Sequence, residues 1–454
     1  MAKNQTAQKN KRVRNQSEQE NKELRDDQGR AIKKKALLID ISLPQKTTDD
    51  EMQDKKYELE SLVKTYGDFE IETTWIKKSE TDKKLFLRQG ILDDLIIYCR
   101  ENEVTMLILG NILKPRQIWD LTELLREEDI EVWDRVDLIL NIFSQHAQSS
   151  EAKLQIQLAK IRHMGPRIFG MGGNELSRQS NTRGKGETNT EIMKRHLRQE
   201  EKNIEKKLEK VRKTKCLHRQ KRKRSQKETV ALVGYTNAGK SRTMNALTKK
   251  GVDVKDALFQ TLDTRLGLMF LPKSFREIFI ADTIGFIANL PPNLIAAFQS
   301  TLSESINADV LLHVVDVSDD RFEEKIEVVD DILEKLGISD KKQFLLFNKI
   351  DNIAEKTEEE IVENNINFED FLKSINFNNI TLTRDSSDED RKNVKKIKKL
   401  KNIFNKKYLL KKYESRTPVF ISADKKMNLD DIRDTLEIII PQNHNFNTYS
   451  CTNE

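Results

Sequence analysis

The segment Gly234-Tyr235-Thr236-Asn237-Ala238-Gly239-Lys240-Ser241 sets a lysine and a hydroxyl directly after a glycine-flanked turn, a pattern suited to holding phosphate. Phosphate oxygens call for more donors than side chains can crowd around them. Glycine at 234 and 239 lets the backbone N–H groups between them wrap the anion. Lys240 adds a mobile cation, and the helix expected to begin there adds its positive end. Ser241 offers its hydroxyl to a Mg²⁺ ion bridging the β- and γ-phosphates. The pattern has meaning only between a strand and a helix, and the apolar run Val230-Ala-Leu-Val supplies the strand.

Three further loops extend the chemistry. Asp282-Thr283-Ile284-Gly285 follows the apolar stretch from Glu277 to Ala281, which places a carboxylate where it can hold the metal through water and an N–H at Gly285 that can sense the γ-phosphate. Asn348-Lys349-Ile350-Asp351 follows Phe344-Leu-Leu-Phe, and the Asp351 carboxylate can accept from guanine N1–H and the exocyclic amine, donors that adenine does not present together. Ser422-Ala423-Asp424 follows Pro418-Val-Phe-Ile and can aim a backbone N–H at guanine O6. Together these loops imply GTP or GDP as ligand and GTP hydrolysis as the reaction, with an ATP-using enzyme disfavoured by Asn348 to Asp351. The residue after Gly285 is Phe286, where Ras-like switches carry a glutamine that orients water, so intrinsic turnover is expected to be slow. Activation then needs a group supplied in trans or a K⁺ ion held partly by Asn237; the plainer reading of Asn237 is that it only shapes the loop.

These loops need a scaffold, and 454 residues are too many for one core. Residues 1–33 are polar and charged and read as a disordered tail. Residues 34–150 alternate short apolar runs (Ala36-Leu-Leu-Ile-Asp-Ile, Met106-Leu-Ile-Leu) with helical periodicity at Ile91 to Cys99, which implies an N-terminal α/β domain. Residues 151–227 read as a basic arm of two antiparallel helices around a glycine-bearing loop. Residues 228–440 return to strand and helix in alternation, the pattern of a mostly parallel sheet in an α/β fold, interrupted by a charged insertion over 352–416; residues 441–454 form a second tail. Lys plus Arg number 80 against 74 Asp plus Glu, so only clustering can point to a partner. Clustering is strongest from Lys213 to Arg224, where the arm could neutralise RNA phosphates or be simply a solvated helix face. No C-x-x-C pair suggests a zinc site, and no run of apolar residues is long enough for a membrane span. A cytoplasmic protein is expected.

In wording as well as order, the chain resembles the HflX family of GTPases from about Lys34 to Ile440. The resemblance is carried by Gly234 to Ser241, by Leu258-Phe259-Gln260-Thr261-Leu262-Asp263, by Asp282 through Pro292, and upstream by Asp134-Arg135, Lys153 to Ala159 and Arg183 to Thr188. It implies that Phe259 to Asp263 form a switch closing on the nucleotide, and that Thr261 joins Ser241 as a metal ligand. Lys240, Thr261, Gly285 and Asn237 become the residues expected to act on the transferring phosphate. It further implies binding to the large ribosomal subunit and its rRNA, with a role in splitting, rescue or recycling. The alternative is an RNA-binding assembly module that holds GTP and hydrolyses it slowly. One departure stands out, since Arg242 replaces the family's usual threonine after Lys-Ser.

Overall fold

The computed structural model describes residues 33–44, 48–171, 189–224, 227–248, 259, 264–288, 291, 294, 302–352 and 406–440. Residues 1–32 of the first expected tail (1–33), the second tail at 441–454, the arm's loop and most of the insertion lie outside the described residues. The chain divides after Ile139 into two compact units, each considered by itself.

The first unit runs β1 (Lys34–Ser42), α1 (Asp49–Tyr66), β2 (Phe69–Lys78), α2 (Gln89–Asn102), β3 (Met106–Leu109), α3 (Pro115–Arg126) and β4 (Glu131–Trp133). Its sheet has the order β2-β1-β3-β4 with every pairing parallel. β1 and β3 are buried along nearly their whole length, as parallel strands covered on both faces must be, and their residues read as continuous apolar runs. Leu37, Ile39, Leu107 and Leu109 meet Leu92, Leu95 and Leu121 in the core, so the three- and four-residue spacing of α2 and α3 is what turns those leucines inward. Thr48 and Glu51 close a reciprocal capping box that starts α1.

In the second unit, α5 (Ser150–Met171) and α6 (Asn189–Arg224) follow α4 (Arg135–His146), the helix in which the division between units falls. α5 and α6 pair antiparallel along Leu158, Ile204 and Leu208, flanked by Leu154 and Ile161. Arg162 clamps the seam with ion pairs of 2.8 Å to both Glu201 and Glu205, and Lys215 reaches back 2.8 Å to Glu151.

The remainder comprises β5 (Thr229–Val233), α7 (Lys240–Leu247), β6 (Arg265–Leu271), β7 (Arg276–Asp282), α8 (Ser303–Asn307), β8 (Val310–Asp316), α9 (Phe322–Lys335), β9 (Gln343–Asn348), α10 (Lys406–Lys412), β10 (Val419–Phe420) and α11 (Leu429–Ile439). The sheet order is β10-β9-β8-β5-β7-β6, parallel except for β6, which pairs antiparallel with β7. Val230, Leu232, Leu312, Phe344 and Leu346 face one core with Ile432 and Leu436 of α11; Val315, Leu345 and Phe347 face another with Phe322 and Ile326 of α9. The mixed α/β architecture with mostly parallel sheets agrees with the sequence pattern. Residues 406–416, within the expected charged insertion, are docked on the sheet: Leu409 is buried, and Arg416 grips Asp330 of α9 through two bonds of 3.0 and 2.8 Å. Among the described residues no helix is long and apolar enough to cross a membrane.

Candidate nucleotide site

The four loops emerge at the C-terminal ends of β5, β7, β9 and β10, all running in one direction, so the sheet alone brings them to one edge. Gly239 has φ +93, and a Cβ there would lie 2.2 Å from Asn348 Nδ2, so only glycine lets the phosphate loop meet the Asn348 loop. Asn237 also takes a left-handed backbone, φ 63, and its side chain is exposed.

Lys240 is buried, with its Nζ donating to the carbonyls of Gly234 at 3.1 Å and Tyr235 at 2.8 Å. Burial pushes its ammonium down to about 8, and the nearby Asp282 carboxylate offsets only part of that shift. A buried lysine at the head of a helix is a receptor for anionic oxygen. Ser241 Oγ donates to Asp282 Oδ2 at 2.6 Å, and Asp282 is fully buried. Hydroxyl and carboxylate oxygens held this close form the hard donor set that suits Mg²⁺. Thr283 Oγ1 donates to Leu232 O at 2.6 Å, tying the loop after β7 to β5. Ile284 is buried, and at Gly285 a Cβ would fall 2.8 Å from Thr236 Cγ2 and 3.1 Å from Lys240 Nζ, so this loop lies flush on the phosphate loop.

Asn348 is the joint of the site. Its Nδ2 donates to Ala238 O at 2.9 Å, and its Oδ1 accepts from the Ala423 N–H at 3.0 Å, so one buried amide fixes the phosphate loop to the Ser422-Ala423 loop. Lys349, with φ 63, pairs with Asp316 at 2.7 Å, and the Ile350 N–H donates to Ile421 O at 3.4 Å. Asp351 Oδ1 is buried and has no hydrogen-bond partner among the described residues, an acceptor that a bound base bearing adjacent N–H groups would satisfy. Ser422 is buried and accepts from the Lys425 N–H at 3.0 Å.

Phe259 is buried with its ring 4.7 Å from that of Phe143, edge to face. Gln260, Thr261, Leu262 and Asp263 fall outside the described residues. Two contacts had no signal in the spacing: Arg242 pairs with Asp424 at 3.4 Å, and the Tyr235 hydroxyl accepts from the Ala288 N–H at 3.0 Å. Of the basic cluster at the end of the arm, Arg219 and Arg222 are ion-paired with buried Glu304 at 3.7 and 2.6 Å, whereas Arg212, Lys213, Lys221 and Arg224 are exposed.

Comparison with known proteins follows the same division of the chain. Residues 53–144 match the family described as GTP-binding GTPase N-terminal, 146–222 the GTP-binding GTPase middle region, and 229–349 the family described as 50S ribosome-binding GTPase. GTPase HflX of Caldanaerobacter subterraneus subsp. tengcongensis is 40% identical over 70% of this chain and 73% of its own length. The proteins of that name from Alkalihalophilus pseudofirmus and Escherichia coli are 38% and 36% identical, each over 71% of this chain and over 77% and 74% of their own lengths. With the phosphate loop, its strand context and both upstream regions matched together, the chain belongs to the HflX family of GTPases.

Proposed function

We propose that the protein hydrolyses GTP while bound to the large ribosomal subunit, and that its nucleotide cycle drives ribosome splitting, rescue or recycling in the cytoplasm. The observation that carries the nucleotide half is the Asn348 amide, which locks the phosphate loop at Ala238 to the base loop at Ala423, together with the buried Asp351 Oδ1, which has no hydrogen-bond partner among the described residues. Lys240 and the backbone from Gly234 to Ser241 hold the phosphates, Gly285 N–H reads the γ-phosphate, and Asp351 reads the guanine beside the Ser422-Ala423 loop, whose Ala423 N–H is held by Asn348. Ser241 and Thr261 would ligate Mg²⁺, which neutralises charge on the transferring phosphoryl group, and Asp282 would orient that shell. Lys349, Ile350 and Asp424 border the base.

The ribosomal half rests on the family matched over 229–349 and on the exposed Arg212, Lys213, Lys221 and Arg224 of α6, which can meet rRNA phosphates and release counterions. Phe286 is 1% exposed and carries no hydrogen-bonding group, so hydrolysis by the isolated protein is slow. The activator is a ribosomal group or K⁺ at the exposed Asn237.

The deciding experiment is multiple-turnover GTP hydrolysis in K⁺ and in Na⁺ buffer, with and without purified large subunits. Strong stimulation by subunits is expected. Tight GTP binding without stimulation would favour an assembly module in which turnover is vestigial. Equal rates in the two cations would remove K⁺ from the mechanism.

A further inference from the structure

Phe286 stands where a side chain would orient the attacking water, yet its backbone is fully engaged. Its N–H donates to Gly234 O at 3.1 Å, and its carbonyl accepts from the Thr236 N–H at 2.7 Å, so the phosphate loop and the segment after Gly285 lie side by side as a short parallel bridge. A third bond lengthens this seam: the Ala288 N–H donates to the Tyr235 hydroxyl at 3.0 Å. The Tyr235 ring is itself held from α9, where Lys325 Nζ lies 5.1 Å from the ring centroid and is ion-paired with Asp319. Phe286 and Ile287 are buried beside the seam, and Gly285 packs so closely on the phosphate loop that a Cβ there would fall 2.8 Å from Thr236 Cγ2.

We propose that Tyr235 is a positioning residue for GTP over GDP: its hydroxyl fastens Ala288 to the phosphate loop and thereby sets where the Gly285 N–H stands relative to the γ-phosphate. The inference rests on the nucleotide site described above. GDP has no γ-phosphate, so its affinity does not draw on the position of Gly285, whereas GTP affinity does. A bond made to one state and not the other shifts the balance only by its own differential free energy. For one neutral hydrogen bond that is about two- to tenfold. Of the three bonds in the seam, two are made by backbone alone. The third depends on a single phenolic oxygen, which a phenylalanine lacks.

The test is Tyr235→Phe, which keeps the ring and its contact with Lys325. Affinities for GDP and for a non-hydrolysable GTP analogue are measured with fluorescent nucleotides, alongside the thermal midpoint. The expected result is an analogue-to-GDP preference, read as the ratio of the two affinities, reduced about two- to tenfold. An unchanged preference overturns the proposal, whatever the midpoint does, because a merely structural tyrosine would lower stability and leave the ratio alone. Amide exchange at Ala288 in the unmutated protein gives an independent reading. Stronger protection with the analogue than with GDP supports the seam, and equal exchange in both states overturns it. Failure of the unmutated protein to bind either nucleotide would overturn the site reading itself.

Discussion

Both units rest on parallel sheets whose order departs from one inner strand in both directions, β1 in the first and β5 in the second, and such sheets open a crevice at the strand ends there. The two crevices are filled differently. In the first unit Asp40 accepts from Ser42 Oγ at 3.3 Å, Lys55 donates to the same hydroxyl at 2.8 Å, and Arg135 pairs with Glu58 at 3.0 Å. The side-chain amide of Asn111 bonds both the N–H and the carbonyl of Ile41, at 2.8 and 3.0 Å. Burial raises the Asp40 carboxyl above the usual range even against the pull of Lys55 and Arg135. These groups answer one another. In the second unit, among the described residues, Asp351 Oδ1 is left buried without a hydrogen-bond partner, and Lys240 Nζ donates to neutral carbonyls. Topology offers a crevice in both, and what makes one a site is polar chemistry left for a ligand to complete.

A dispensable Lys240 would erase the difference between the two crevices. Lys240→Ala should lower GDP affinity by about a hundredfold or more, the scale expected when one partner of a buried charged contact is removed. Titration with fluorescent GDP checks it, and affinity near the wild-type value would count against the site. Arg135→Ala is the matched change in the first unit. It removes the cation paired with Glu58 and close to Asp40, so stability should fall by about 3 kcal/mol while GDP affinity holds, measured by chemical denaturation and the same titration. A loss of GDP binding there would mean that the first crevice is not the self-satisfied one.

Asp351→Asn sharpens the reading of the base. Exchanging the acceptor pair for an amide should weaken GTP about ten- to a hundredfold and move preference toward xanthine nucleotides, since a hydrogen bond to a charged group is lost. Competition between GTP and XTP reads this directly, and unchanged selectivity would free Asp351 of its role.

How much of this was legible beforehand follows the same contrast. The phosphate loop, Asp282, Asn348 to Asp351 and Ser422-Ala423 were visible because glycine, charge and strand context sit within a few adjacent residues. The strands at Val230, Glu277, Val310 and Phe344 were visible because burial on both faces demands unbroken apolar runs. β6 was not singled out, because Arg265 to Leu271 alternates buried with exposed apolar residues and gains its identity only by pairing with β7. Nor could the sequence show that Asp134, prominent in the family wording, caps a helix through the Asp137 N–H at 2.9 Å. It also could not separate Arg219 and Arg222, which bind Glu304, from the exposed lysines and arginines beside them. The last distinction depends on a residue about eighty positions away.

The buried lysine also gives the site a proton signature that the first crevice lacks. With the Lys240 ammonium held at about 8 in the free protein, phosphate binding should draw it back up, so GDP binding should take up about half a proton near pH 8 and almost none near pH 6.5. The sign follows from the bound state holding more protons, and affinity therefore falls as pH rises through and above 8. Calorimetry in buffers of different ionisation enthalpy measures the uptake, and its absence would separate Lys240 from the phosphates.

The smallest effect expected is at Arg242, which pairs with Asp424 across the open side of the site. Their side chains are 33% and 57% exposed, so solvent screens the pair and it contributes about 1 kcal/mol at most. Even so, it joins α7 to the loop that follows β10. Arg242→Thr should speed GDP release up to about fivefold at low salt, and the difference should vanish at high salt as the charges are screened. Asp424→Asn should give the same acceleration, and the double variant no more than either alone. Additive effects would show instead that Arg242 acts on the phosphates themselves, as the threonine it replaces is expected to do, and that this side of the crevice is closed by ligand contacts and not by the protein's own charges.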